Sequence, residues 1–235
     1  MRSIAKLMKD WQFTGPDGVT AAVALPHTWN AVDGQDGGND YWRGTCTYRT
    51  SFAAPAFDPA QQVWLQFEGV NSSATVLLNG QQLCTHDGGY STFRAEITEL
   101  LQAENQLAVQ VDNSVNDRVY PQKADFTFYG GIYRDVSLLV VNKNHIALGH
   151  FGDTGVKITP DLKEGSADIQ VETLVEGGGT VVVELLDAAG STVAKGEGEN
   201  ASLHLDAPHL WNGVKDPYLY TCVVRLMQDG KPVDE

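Results

Sequence analysis

The chain has 235 residues, 42% hydrophobic and 20% charged, enough to fill the core of one large or two ordinary domains and too apolar for disorder. Its formal net charge of -14 repels nucleic-acid phosphates and anionic membrane surfaces, so neither is expected as a partner. No run of about 18 apolar residues exists to span a bilayer, and Met1 to Asp10 lack the apolar stretch of a secretory signal.

Alternation at period two, punctuated by turns, dominates the chain and predicts an all-β fold. Val63 to Glu68 reads as a strand. Ala74 to Leu78, Asn79-Gly80 and Gln81 to Cys84 read as a hairpin, with Asn-Gly supplying the positive φ angles of a tight primed turn. A short helical turn is predicted at Thr98 to Leu101, capped by Thr98. Gln106 to Val111 and Val136 to Val141 are further strands. Beyond about Asn142 aromatics thin out and Val, Thr, Glu and Gly take over. Ile169 to Val175, Gly177 to Gly179 and Thr180 to Leu186 read as strand, turn, strand. Tyr218 to Leu226 is a long strand ending at an Asp229-Gly230 turn, after which Lys231 to Glu235 offer little returning strand. That end reads as a cut inside a domain. Two sandwiches are therefore expected, residues 1–143 and 144–235, the second of immunoglobulin type and shortened at its C-terminus.

Several chemistries find no support. There is no GxSxG, HExxH, P-loop or GxGxxG in a strand-helix setting. Cys46, Cys84 and Cys222 are far apart, form no CxxC pair and sit in apolar runs, so they read as reduced core thiols in a cytoplasmic protein. Of the histidines only His145 and His150 approach ligand spacing, at a linker. The acidic loop Asp33 to Asp40 lacks the regular spacing and terminal Glu of a calcium loop. No metal and no cofactor is expected. No acid and nucleophile pair of carboxylates emerges, so no catalytic residue is assigned.

What stands out is Asp125 to Val136, which packs an acid, four aromatics, a Gly-Gly pair and an arginine into a dozen residues. Aromatic faces cover the C–H side of a pyranose, and a carboxylate makes strong charge-assisted hydrogen bonds to its hydroxyls. The same residues could equally cap a turn and fill a core.

In order along the chain, Leu7 to Phe13, Leu25-Pro26-His27-Thr28-Trp29-Asn30, Asp40 to Arg49, Phe67 to Val70 with Val76 to Gly80, His86 to Phe93 and Gly130 to Val136 resemble the opening domain of glycoside hydrolase family 2. Leu210-Trp211 and Asp216 to Tyr220 are similar to segments of its next, immunoglobulin-like domain. The resemblance implies a jelly-roll, galactose-binding-like sandwich, then an immunoglobulin-like sandwich, with a retaining catalytic barrel and its two glutamates elsewhere. It implies a carbohydrate substrate with a terminal β-linked sugar, contact with the protein's own barrel, and assembly as dimers or tetramers. An aspartate nine residues before the Gly-Ile-x-Arg arginine contacts sugar in that family; here the position is Asp125. Asn39 and Asp40, in a loop more loosely similar, are secondary candidates. Arg134 and Trp42 read as structural, holding the loop by ion pairing and packing, and Trp211 as core of the second domain. β-Galactosidase leads, with β-glucuronidase or a stand-alone carbohydrate-binding module as alternatives.

Overall fold

The computed structural model describes residues 1–32, 41–120, 127–149 and 151–235. The candidates Asn39, Asp40 and Asp125, the acidic loop Asp33 to Asp40 and His150 lie outside the described residues. By contact pattern the chain divides into two compact units, Ile4–Val140 and a second made of Val141–Glu235 with Met1–Ser3.

In the first unit a six-stranded sheet runs in the order Thr20–Val23, Trp11–Thr14, Thr45–Ala53, Glu104–Asp112, Ser73–Leu78, Gln81–Asp87. A four-stranded sheet runs Ser3–Lys6, Val136–Asn142, Gln61–Phe67, Phe93–Glu96. This is the jelly-roll sandwich. Alternation decides which residues face inward: along Glu104–Asp112 the buried positions are Asn105, Leu107, Val109 and Val111, with Gln106 and Gln110 exposed between them. Trp11, Tyr48, Leu65, Phe67 and Ile132 fill the centre. Each such side chain contributes about 1.5–3 kcal/mol on burial. The predicted hairpin turn forms, with Asn79 at φ 52° and Gly80 at φ 81°.

In the second unit Val156–Lys163, Ser166–Thr173 and Asn200–Asp206 form one sheet, and Thr192–Glu197, Thr180–Leu186, Thr221–Gln228 and Lys231–Asp234 form the other. Val171, Val181, Val183 and Leu226 are buried between them, giving the immunoglobulin-like sandwich.

Four expectations change. Ser166–Thr173 and Thr180–Leu186 are both strands, but they sit in different sheets, so the glycine run is a crossover and not a hairpin turn. Period two cannot tell these apart, because a strand's inward face is apolar whichever sheet holds it. The chain does return after Asp229-Gly230: Lys231–Asp234 pairs antiparallel with Thr221–Gln228, with Gln228 opposite Lys231 and Leu226 opposite Asp234. Thr98 does not cap the 3-10 turn Thr98–Leu100. Its hydroxyl instead accepts from Val63 N at 2.9 Å and donates to Glu96 Oε1 at 2.9 Å, tying turn to sheet. Trp211 is not core; it is 64% exposed. Among the described residues no helix is long and apolar enough to cross a membrane.

Candidate functional site

The segment that enters residues 33–40 and the one that leaves 121–126 meet at one end of the first sandwich. Residues 27–30 lie along 130–132: His27 N donates to Ile132 O at 2.8 Å, Trp29 N to Gly130 O at 3.3 Å and Thr28 Oγ1 to the same carbonyl at 2.8 Å. Glycine is required here. A Cβ on Gly130 would stand 2.3 Å from Trp29 Cζ2 and 2.6 Å from Asn113 Nδ2. One on Gly131, at φ 134°, would meet His27 O at 2.5 Å.

Two asparagines join these segments to a third. Asn30 is fully buried; its Oδ1 accepts from Gly130 N at 2.8 Å and from Asn113 Nδ2 at 3.2 Å, and its Nδ2 donates to Trp42 O at 3.0 Å. Asn113, 4% exposed, also donates to Trp42 O at 3.3 Å and accepts from Gly44 N at 2.8 Å. Buried amides so well matched are stable; with one partner removed, each leaves an orphaned polar atom.

Around the amides sits an aromatic cluster. Trp42 packs edge-on to Trp29, ring centres 6.1 Å apart, and Trp29 stacks on Phe13. His27 shares a 2.7 Å hydrogen bond with the Tyr48 hydroxyl. Burial pulls the His27 imidazole below its usual value and pushes the Tyr48 phenol well above its own. Both groups are therefore neutral at pH 7, and they serve as scaffold. Asn71 Nδ2 donates to Tyr129 O at 3.0 Å, leaving the Tyr129 ring 41% exposed. Tyr90 is 54% exposed and packs edge-on to Tyr133, whose hydroxyl donates to Gly89 O. Arg134 donates to Tyr90 O at 3.2 Å and Glu68 O at 3.4 Å. It thus holds this end through carbonyls, with no carboxylate partner among the described residues. Such an arrangement can present aromatic faces and backbone polar groups to a polyhydroxylated ligand.

Sequence reasoning placed Arg134, Trp42 and the Gly-Gly pair at this end, but gave Asn30 and Asn113 no role. A buried asparagine leaves no periodic signal, since its partners are 12 to 100 residues away. Among the described residues no group of three His, Cys, Asp or Glu side chains could hold a metal ion.

In the second unit Trp211, Leu210, Leu219 and Tyr218 line an apolar cavity of about 390 Å³. Beside it the His209 ring stacks on Tyr218 at 4.0 Å and its Nε2 lies 2.6 Å from Asp216 Oδ2.

Fold and site define a class, an all-β pair of sandwiches whose first member gathers aromatic and amide groups at one end. Comparison with known proteins then names its family. Residues 37–172 match the glycosyl hydrolase 2 galactose-binding domain-like model, and residues 150–235 match the glycosyl hydrolases family 2 model. A β-glucuronidase of Bacteroides fragilis is 33% identical over 97% of this chain and 36% of its own length. A β-galactosidase of Thermoanaerobacter pseudethanolicus is 29% identical over 90% of this chain and 30% of its own length. The crystal structure of an FMN-binding β-glucuronidase from Facaelibacterium prausnitzii L2-6 superposes with a TM-score of 0.93 at 36% identity, covering 100% of this chain and 38% of that one. The chain belongs to glycosyl hydrolase family 2, and it spans only 30% to 38% of the length of these relatives.

Proposed function

We propose that this chain is the N-terminal, non-catalytic part of a retaining exo-β-glycosidase that removes terminal β-linked sugars. The observation that carries the reading is the unbroken match to the family across both sandwiches, together with the small share of each relative's length that it covers. Retaining hydrolysis needs two carboxyl groups about 5–5.5 Å apart on either side of the scissile bond. The sequence gives no such pair a place here, so those groups belong to a further, barrel-bearing part of the gene product. The first sandwich would instead close one wall of the pocket, with Asp125, and secondarily Asn39 and Asp40, accepting hydrogen bonds from sugar hydroxyls.

Two sugars compete. The names of the Bacteroides and Facaelibacterium relatives favour a glucuronide, and that of the Thermoanaerobacter relative favours the galactoside expected from sequence. Nitrophenyl β-glucuronide and β-galactoside, assayed on the longer gene product and on the 235-residue chain, test both points. Turnover by the longer product alone supports the proposal; hydrolysis by the 235-residue chain refutes the non-catalytic reading. Asp125→Asn in the longer product lowers kcat/KM at unchanged stability, and an unchanged kcat/KM removes Asp125 from the site.

A further inference from the structure

We infer that the second sandwich carries a docking groove for a β-strand, supplied by the residues that follow Glu235 in the longer gene product. The inference rests on the proposed function for the existence of that product. Two features of the sandwich point to it. Thr221–Gln228 pairs on one side with Thr180–Leu186, from Thr221 to Met227. On its other side Lys231–Asp234 reaches only Leu226, Met227 and Gln228. Among the described residues, Thr221 to Arg225 therefore have no strand beside them on that edge. The facing sheet is uncovered as well. Ile158, Pro160 and Leu162 lie directly opposite Val171, Ile169 and Ala167, so they share the inward face of their sheet. Those three partners are at most 7% exposed, yet Ile158 is 47% and Leu162 57% exposed. A cavity of about 390 Å³ is lined by Val156 and Ile158 from one sheet and Cys222 and Val224 from the other. Ile158 and Cys222 also line the apolar cavity at Trp211, which makes the two one groove.

The chemistry of the groove selects a strand. An open edge offers backbone N–H and C=O groups, and an apolar wall beside it takes every second side chain of an added strand. Two edges of this unit differ in kind. Val156–Lys163 is an edge strand too, but Pro160 removes a donor and Lys157 and Lys163 flank it, so pairing there is discouraged. Thr221-Cys222-Val223-Val224 holds no proline and no charge, and an edge of that composition is protected only by being covered. The occupant follows from direction. Lys231–Asp234 already runs antiparallel along Thr221–Gln228 toward the open stretch, so a continuation in register closes no further loop. With Leu226 opposite Asp234, the first and third residues after Glu235 fall opposite Val224 and Cys222 and point into the groove.

Amide hydrogen exchange on the 235-residue chain and on the longer gene product tests this. Peptides covering Thr221 to Arg225 should exchange on the order of 100-fold more slowly in the longer product. Those covering Thr180–Leu186, already paired on both edges, should change far less. Ile158→Asp gives a second reading. Its thermal transition should fall by about 10 °C or more in the longer product, where the side chain is covered, and by about 3 °C or less in the 235-residue chain. Equal exchange at Thr221 to Arg225 in both proteins overturns the inference. So does protection in the 235-residue chain that grows with its concentration, because a second copy then fills the groove. Replacing about six residues after Glu235 by glycine and serine should abolish the protection, and protection that survives gives the groove to another part of the product and also overturns it. Failure here is distinct from failure of the proposed function. A longer product that cleaves nitrophenyl glycosides yet exchanges freely at Thr221 to Arg225 loses the groove alone, and one protected there but inert loses the glycosidase reading alone.

Discussion

Arg2 reaches across the second unit to Asp234, and removing it should be costly. Its Nε donates to Asp234 Oδ1 at 2.8 Å and its Nη2 to Oδ2 at 2.6 Å, a bidentate pair. The Asp234 side chain is 1% exposed and that of Arg2 21%. Ile146 N adds a further bond to Oδ2 at 2.8 Å, so one carboxylate joins residues 2, 146 and 234. Exposed ion pairs contribute about 0.2–1 kcal/mol. Breaking a buried pair costs about 3–5 kcal/mol, because a charge is left without its partner. With the acid fully buried and the arginine one-fifth exposed, Arg2→Met should cost about 3 kcal/mol. For a unit of about 100 residues, a loss of 1 kcal/mol lowers Tm by roughly 4–8 °C, so its calorimetric transition should fall by roughly 12–24 °C. Burial pushes the Asp234 carboxyl up, yet hydrogen bonds and charge from Arg2, with the Ile146 amide, hold it below its usual value. Because the folded carboxyl titrates below the unfolded one, near 3.9, the contribution is whole above about pH 4 and fades as pH falls through the folded value. Wild type and Arg2→Met should therefore converge in acid. A loss under about 0.5 kcal/mol at pH 7, or one that does not shrink in acid, would refute the reasoning.

Gly130→Ala should destabilise the first unit by about 2 kcal/mol or more in urea titration, since its Cβ would press on Trp29 and Asn113. Gly80→Ala meets nothing within 4 Å and should cost only about 1 kcal/mol, for its φ of 81°. The Cys46 thiol is pushed up to about 12, by burial first and then by Asp112 and Asp17. Ellman's reagent should therefore modify it only after unfolding, and rapid native reactivity would contradict the burial. Burial depresses His27, so its neutral form favours the folded state. Its contribution is present above the unfolded value of about 6.5 and declines as pH falls from there toward the folded value. His27→Gln should flatten that slope in the urea midpoint, and an unchanged slope would count against it.

Much of this architecture was legible in the chain. The alternation of Leu107, Val109 and Val111, and of Val181, Val183 and Leu185, follows from the pleat, so strand identity and inward face are local properties. The Asn79-Gly80 turn is legible for the same reason, because its φ angles are set by the residues themselves. Pairing was less legible. Gly177 to Gly179 has the composition of a hairpin turn, but it carries the chain from one sheet to the other, a choice made by which surfaces bury together. Trp211 shows the same limit: its alternation and flanking turn suggested core, yet its neighbours at the surface are Leu210 and Leu219, themselves more than half exposed.

At the site the division is sharper. Residue type and order alone marked the Gly130-Gly131 pair, Trp42 and Arg134, and with the family resemblance they determined what kind of protein this is. Only tertiary structure brought Asn30 within hydrogen-bonding distance of Gly130, 100 residues away, and Arg2 to Asp234, 232 residues away. Hydrogen bonds and ion pairs of that span depend on the positions of whole sheets, and no local pattern in a sequence encodes a distance across a core.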